Sequence, residues 1–67
     1  MSVDARNLFQ SMKTSCDKFM GMLDAACAEN HDFDCTANGR YAQEVSTIRA
    51  QLQTVVTLSD TMLKQIP

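Results

Sequence analysis

The sequence predicts an all-α protein: a two-helix antiparallel hairpin of coiled-coil type that completes a larger helical bundle with a partner or a second copy. The first of three observations behind this is the spacing of Tyr41, Val45, Ile48, Leu52, Val55, Ser59, Met62 and Ile66. They follow one another at alternating steps of four and three, which places all eight on one stripe of an α-helix; a strand would alternate at every second residue. The second is the same step in Ala5, Phe9, Met12, Cys16, Phe19, Leu23 and Ala26. The third lies between the two stripes, where His31-Asp32-Phe33-Asp34-Cys35-Thr36-Ala37-Asn38-Gly39 is dense in residues that favour turns. The chain is therefore expected as one unit, with helices over about 4–29 and 40–66 and a turn over about 30–39.

The first helix, about 39 Å long at 1.5 Å per residue, has Ser2 or Asp4 as candidate N-caps, and an Asp there also suits the positive end of the helix dipole. Asn30 is the expected stop. Arg6, Lys13, Asp17, Lys18 and Asp24 read as a solvated face, while Cys16 falls on the apolar stripe, where a thiol packs as a small hydrophobe. Gly21 sits opposite the seam and costs about 1 kcal/mol relative to alanine. It reads as a tolerated surface glycine or as a point of close backbone approach. Met20 and Met22 beside it suit either packing or contact.

In the loop, Asp34, Thr36 and Asn38 are each candidate caps for the second helix, and Phe33 is expected to close the end of the seam as a plug. The second helix has poor intrinsic propensity. Ser46, Thr47, Thr54, Thr57 and Thr61 and the β-branched Val45, Ile48, Val55, Val56 and Ile66 all rank below alanine or leucine. Packing must hold it, with Asp60 and Lys64 adding a little as an i,i+4 pair.

Composition narrows the function. Sixty-seven residues with eight acidic against six basic side chains and no Lys/Arg cluster argue against nucleic acid as a partner, which demands concentrated positive charge. No apolar run spans a bilayer and the first residues lack a signal-peptide pattern, so no membrane insertion and a cytoplasmic location are expected. Three cysteines leave one unpaired in any intrachain disulfide scheme, and three reduced thiols fit that location.

The loop carries parts of two site motifs. Asp34, Thr36, Asn38 and Gly39 resemble the first half of a calcium loop, but the bidentate glutamate wanted six residues after the glycine is Val45. Cys27, His31 and Cys35 are donors of the type zinc takes, yet they lack a CxxC or HxxxH spacing and the helix end scatters them. No Ser/His/Asp arrangement occurs. The expectation is no enzyme, no catalytic residue, no metal and no cofactor, with a metal-binding or redox-responsive role for Cys27, His31 and Cys35 as the alternative.

The main functional signal is surplus. Leu8, Met20, Met22 and Cys27 flank the first stripe and Val56, Leu58 and Leu63 the second, more apolar surface than two helices hide between them. Burying such a side chain contributes about 1.5–3 kcal/mol, large against what a chain this short holds alone. Leu8, Met20, Met22, Val56, Leu58 and Leu63 are therefore the expected partner-binding residues, for another protein's helix or for self-association into a four-helix bundle. A homo-oligomeric structural role is a further alternative.

A short acidic helical hairpin with a seam and a glycine-containing turn before a Gln-rich second helix, Gly39 to Gln65 here, resembles the small co-chaperones of type III secretion needle subunits. The resemblance covers the layout of the whole chain and assigns no site residue. It implies a hairpin that joins a second chaperone and keeps a self-assembling needle subunit soluble.

Overall fold

A computed structural model describes residues 2–34 and 38–67. Helix α1 spans Ser2–Glu29, a single 3₁₀ turn covers His31–Phe33, and helix α2 spans Ala42–Gln65, with α1 and α2 packed against each other. No strand occurs among the described residues. The result is a slender hairpin, 45 by 16 by 12 Å across its Cα atoms.

Asn30 does two jobs at the first helix end. Its N–H donates to Ala26 O at 2.9 Å, closing α1, and its side-chain oxygen accepts from Asp32 N at 3.0 Å, opening the 3₁₀ turn. The helix starts at Ser2, so Asp4 lies inside the first turn, where its charge meets the helix dipole, rather than at the cap. At α2 the cap position is Tyr41, which makes no side-chain capping bond. Of the expected caps, Asp34 instead closes the 3₁₀ turn, Asn38 takes a left-handed conformation (φ 53°), and Thr36 lies outside the described residues, as do Cys35 and Ala37.

The reversal is stitched by backbone bonds. Gly39 N donates to Asp34 O at 3.0 Å and Tyr41 N to Asp32 O at 2.6 Å, drawing the start of α2 onto the 3₁₀ turn. Phe33 is half-buried with its ring 5.9 Å from that of Tyr41, so it does close that end of the hairpin. Cys27 Sγ donates to Phe33 O at 3.3 Å, which ties the last turn of α1 to the same plug.

Between the helices, the half-buried positions on α1 include Phe9, Lys13, Cys16, Met20, Leu23 and Cys27; on α2, Val45, Arg49, Leu52, Val56, Ser59, Leu63 and Ile66 are buried or half-buried. These again step by four and three, but the seam is displaced to one side of the stripes read from the sequence. Phe9, Cys16, Leu23, Val45, Leu52, Ser59 and Ile66 belong to both. Lys13 and Met20 stand in for Met12 and Phe19 and Arg49 for Ile48, while Val56 and Leu63 are half-buried beside Val55 and Met62, which keep their place. Met12, Phe19, Ile48 and Tyr41, expected inside, are exposed.

Polar contacts line the edge toward which the seam is displaced. Lys13 Nζ reaches Asp60 Oδ1 at 3.1 Å, Arg49 pairs with Asp24, and Arg6 Nη1 donates to both Leu63 O and Ile66 O at 2.8 Å. Lys13 and Arg49 lay their apolar stems along the seam while their heads meet carboxylates across it. Arg6 also satisfies carbonyls at the end of α2 that no further helical N–H reaches.

Val45, 5% exposed, is the one buried hydrophobic residue among those described, and Ser59, 2% exposed, the one buried polar residue. No buried side-chain nitrogen or oxygen among the described residues lacks a hydrogen-bond partner. The threonines that weaken α2 line up every seven residues on its outer side, where the Thr47, Thr54 and Thr61 hydroxyls donate to Gln43, Ala50 and Thr57 carbonyls at 2.9–3.0 Å.

Gly21 has nothing within 4 Å of where a Cβ would stand. Gly21→Ala is therefore expected to stabilise the hairpin by about 1 kcal/mol, since alanine loses less backbone freedom in a helix. Urea denaturation followed by far-UV circular dichroism checks it, and an unchanged or lower midpoint would argue against this account of the position.

Asp60 holds two cations, Lys13 and Lys64, the second at 3.4 Å. Hydrogen bonds from Lys13 and then Lys64 draw its pKa below the ordinary carboxylate value. A lowered folded-state pKa means a contribution present above the unfolded value, near 3.9, and lost as pH falls through the folded one. Asp60→Asn is thus expected to flatten the acid side of the stability profile below about pH 4 and to leave its shape at neutral pH unchanged. The effect is small, because the pair is solvent-screened.

Candidate functional site: an open apolar face

The displaced seam sorts the surplus apolar residues. Met20, Val56 and Leu63 are half-buried on the seam, while Leu8, Met22 and Leu58 are 54%, 57% and 59% exposed. Of the six residues expected to meet a partner, three are thus largely spent on the hairpin and three remain free. Met12, Phe19, Tyr41 and Ile48 join the free ones; the sequence stripe had placed them inside.

Which way these side chains point follows from helical geometry. At 3.5 residues per turn of a supercoiled pair, Ala5, Met12, Phe19 and Ala26 form one column beside the α1 seam, and Leu8, Ser15 and Met22 form the next column outward. On α2 the matching columns are Tyr41, Ile48, Val55, Met62, and then Glu44, Gln51, Leu58, Gln65. Two antiparallel helices are related by a two-fold axis normal to the plane that holds them, so equal offsets from the seam emerge on the same side. All four columns lie on one broad face of the hairpin.

Side-chain geometry agrees with this. Phe9, Met12, Val55, Leu58, Ser59 and Met62 together line a depression of about 360 Å³ that crosses from α1 to α2. The ion pairs of Lys13, Asp60, Asp24 and Arg49 occupy the opposite edge of the seam. One face is sealed by charge, and the other is left open and greasy. Apart from Glu29 and Glu44, both at the turn end, the four columns carry no charged residue.

The slender shape also leaves the chain more open than a compact one: about 4,200 Å² is expected for 7.4 kDa by the usual mass scaling, against 4885 Å² here. Exposed apolar patches beyond a few hundred Å² mark sites of association. A larger concavity of about 520 Å³ over the start of α2, lined by Asn38, Gly39, Arg40, Gln43 and Thr47 among others, is polar and gives a helical partner no anchor.

The loop donors show a different picture. Cys27 Sγ is engaged with Phe33 O, Asp34 O accepts from Gly39 N, and His31 is exposed in the 3₁₀ turn. Cys35, the third member of the zinc-type set, and Thr36, of the calcium-type set, lie outside the described residues. Among the described residues no three His, Cys, Asp or Glu side chains converge as metal ligands, and no helix is long and apolar enough to cross a membrane. Comparison with protein-family models, with characterised proteins and with solved structures gives no match.

Proposed function

We propose that this chain is a non-enzymatic protein–protein interaction module, a small chaperone or adaptor that works by laying its open face against helices of another protein. The observation that carries the reading is the segregation of Leu8, Met12, Phe19, Met22, Ile48 and Leu58, all more than a third exposed, onto the side of the hairpin free of ion pairs. Apolar helical faces that find no partner within their own chain are docked by amphipathic helices through anchors at i, i+3, i+4 and i+7. The shared layout with needle-subunit co-chaperones makes a self-assembling helical subunit the specific client under this reading, held soluble while its own apolar stripe is covered.

Leu58 is the most exposed of the large face residues on α2 and stands next to the depression. Leu58→Asp is expected to lower capture of helical clients from the source cell by at least tenfold, equivalent to about 1.4 kcal/mol, with helicity retained. Gln53→Asp, on the sealed side, is the control and should capture as the parent does. Equal loss with both variants, or loss of helicity in step with capture, would sink the proposal.

A further inference from the structure

We propose that the open face is closed by a second copy of the same chain, in a two-fold symmetric four-helix bundle with the two turns at opposite ends. This rests on the reading of the face as a docking surface and names its occupant when no client is bound. Width decides against a single helix. A lone helix about 10 Å across rests in the groove over Met12, Phe19, Ile48, Val55 and Met62, but it leaves the outer columns with Leu8, Met22 and Leu58 in water. A partner two helices wide covers them, and this chain supplies such a surface. A face with the hairpin's 45 by 16 Å footprint offers roughly 700 Å² on each copy and 1,400 Å² in total, within the range of stable specific interfaces.

Register then chooses between the two ways of pairing identical faces. Within the hairpin, Lys13 meets Asp60 and Asp24 meets Arg49, pairs whose numbers both total 73. Ser15 on α1 and Leu58 on α2 also total 73, so one axis drawn across the face passes through both. A two-fold rotation about that axis sets α1 against α1 and α2 against α2 of the second copy, antiparallel. Leu8 then faces Met22, Met12 faces Phe19, Val55 faces Met62, Gln51 faces Gln65, and Leu58 meets its own counterpart. Apolar side chains meet apolar ones and amides meet amides.

The other rotation, about the long axis, puts both turns at one end and sets α1 over α2 in the total-73 register. Leu8 would then face Gln65, Met22 would face Gln51, Ser15 would face Leu58, and Glu29 would face Glu44 twice. An isologous interface must be self-complementary; the inner columns pair apolar residues in both arrangements, and the outer columns are matched only in the first. Ser15, the small residue on the axis, lets the two α1 helices approach there.

The experiment combines mass with a cross-link. Light scattering on the full chain at micromolar concentration is expected to give twice the 7.4 kDa chain mass. Ser15→Cys in a background carrying Cys16→Ala, Cys27→Ala and Cys35→Ala is expected to yield a covalent dimer with a short bismaleimide, joined through the new thiols at position 15 by peptide mass mapping. Gln10→Cys in the same background, on the sealed face, should give none. Circular dichroism of each variant confirms that it is folded before the result is read. A folded monomer overturns the proposal, and so does a dimer that fails to link at position 15 or links equally at position 10. Neither touches the chaperone reading if Leu58→Asp still separates client capture from Gln53→Asp; conversely, a linked dimer that captures no client refutes that reading alone.

Discussion

Gly39→Ala is expected to unfold most of the protein at room temperature. A Cβ on Gly39 would stand 2.2 Å from His31 O and 2.6 Å from both Asp32 C and Asp32 O. All three are backbone atoms, and no rotamer change relieves them. The backbone of Gly39 is not in the left-handed region, so the demand is for space. Either the 3₁₀ turn must move, breaking the bonds from Gly39 N to Asp34 O and Tyr41 N to Asp32 O, or the start of α2 must lift away. A cost of about 3 kcal/mol or more consumes most of what a chain this size holds. Denaturant titration at matched protein concentration should show a midpoint near zero denaturant. The comparison with Gly21→Ala is built in: the same chemical change is favourable 18 positions earlier, because that site is open and this one is not. A native-like midpoint for Gly39→Ala would mean the turn is packed differently.

Val45→Asp carries the second large effect. Val45 is 5% exposed in the first turns of α2, where the helix leaves the loop, and no cation is paired with it. A carboxylate there is either buried uncompensated or drags the helix end into water, at a cost of several kcal/mol. Val45→Ala loses only the transfer energy of two methyl-sized groups, about 1.5 kcal/mol. Far-UV circular dichroism is expected to show a largely unfolded Asp variant and a folded, weakened Ala variant. If the two variants were equally stable, Val45 would not be the buried residue of this core.

Two helices and the antiparallel turn were legible in the sequence because each rests on periodicity or on turn chemistry. The edge of the stripe that forms the seam was not. On α1 the apolar sector runs over four adjacent columns, from Met20 through Leu23 and Phe19 to Met22, and hydrophobicity alone ranks Phe19 and Met12 above Met20 and Lys13 as seam residues. The contacts that lie along that edge join charges far apart in the chain. Lys13 with Asp60 and Asp24 with Arg49 are separated by 47 and 25 positions, and no local pattern announces such pairs. Met20, Val56 and Leu63 are half-buried in the hairpin, and Met12, Phe19 and Ile48 are left outside. The surplus of apolar side chains was thus legible, and which of them stay exposed was not. The position of the α2 cap was equally illegible, since the turn offered several candidate caps and the cap falls on Tyr41, whose side chain makes no capping bond.

The division of the hairpin into a charged edge and a greasy one has a consequence for its response to ionic strength. Exposed ion pairs such as Lys13 with Asp60 weaken as mobile ions accumulate around them, whereas excluded salts such as sulfate strengthen the drive to hide apolar surface. The two sides of one thin molecule are therefore tuned in opposite senses by the same solute. In dilute buffer the single chain is clasped most firmly along its charged side, and in concentrated sulfate the incentive shifts toward company on the other.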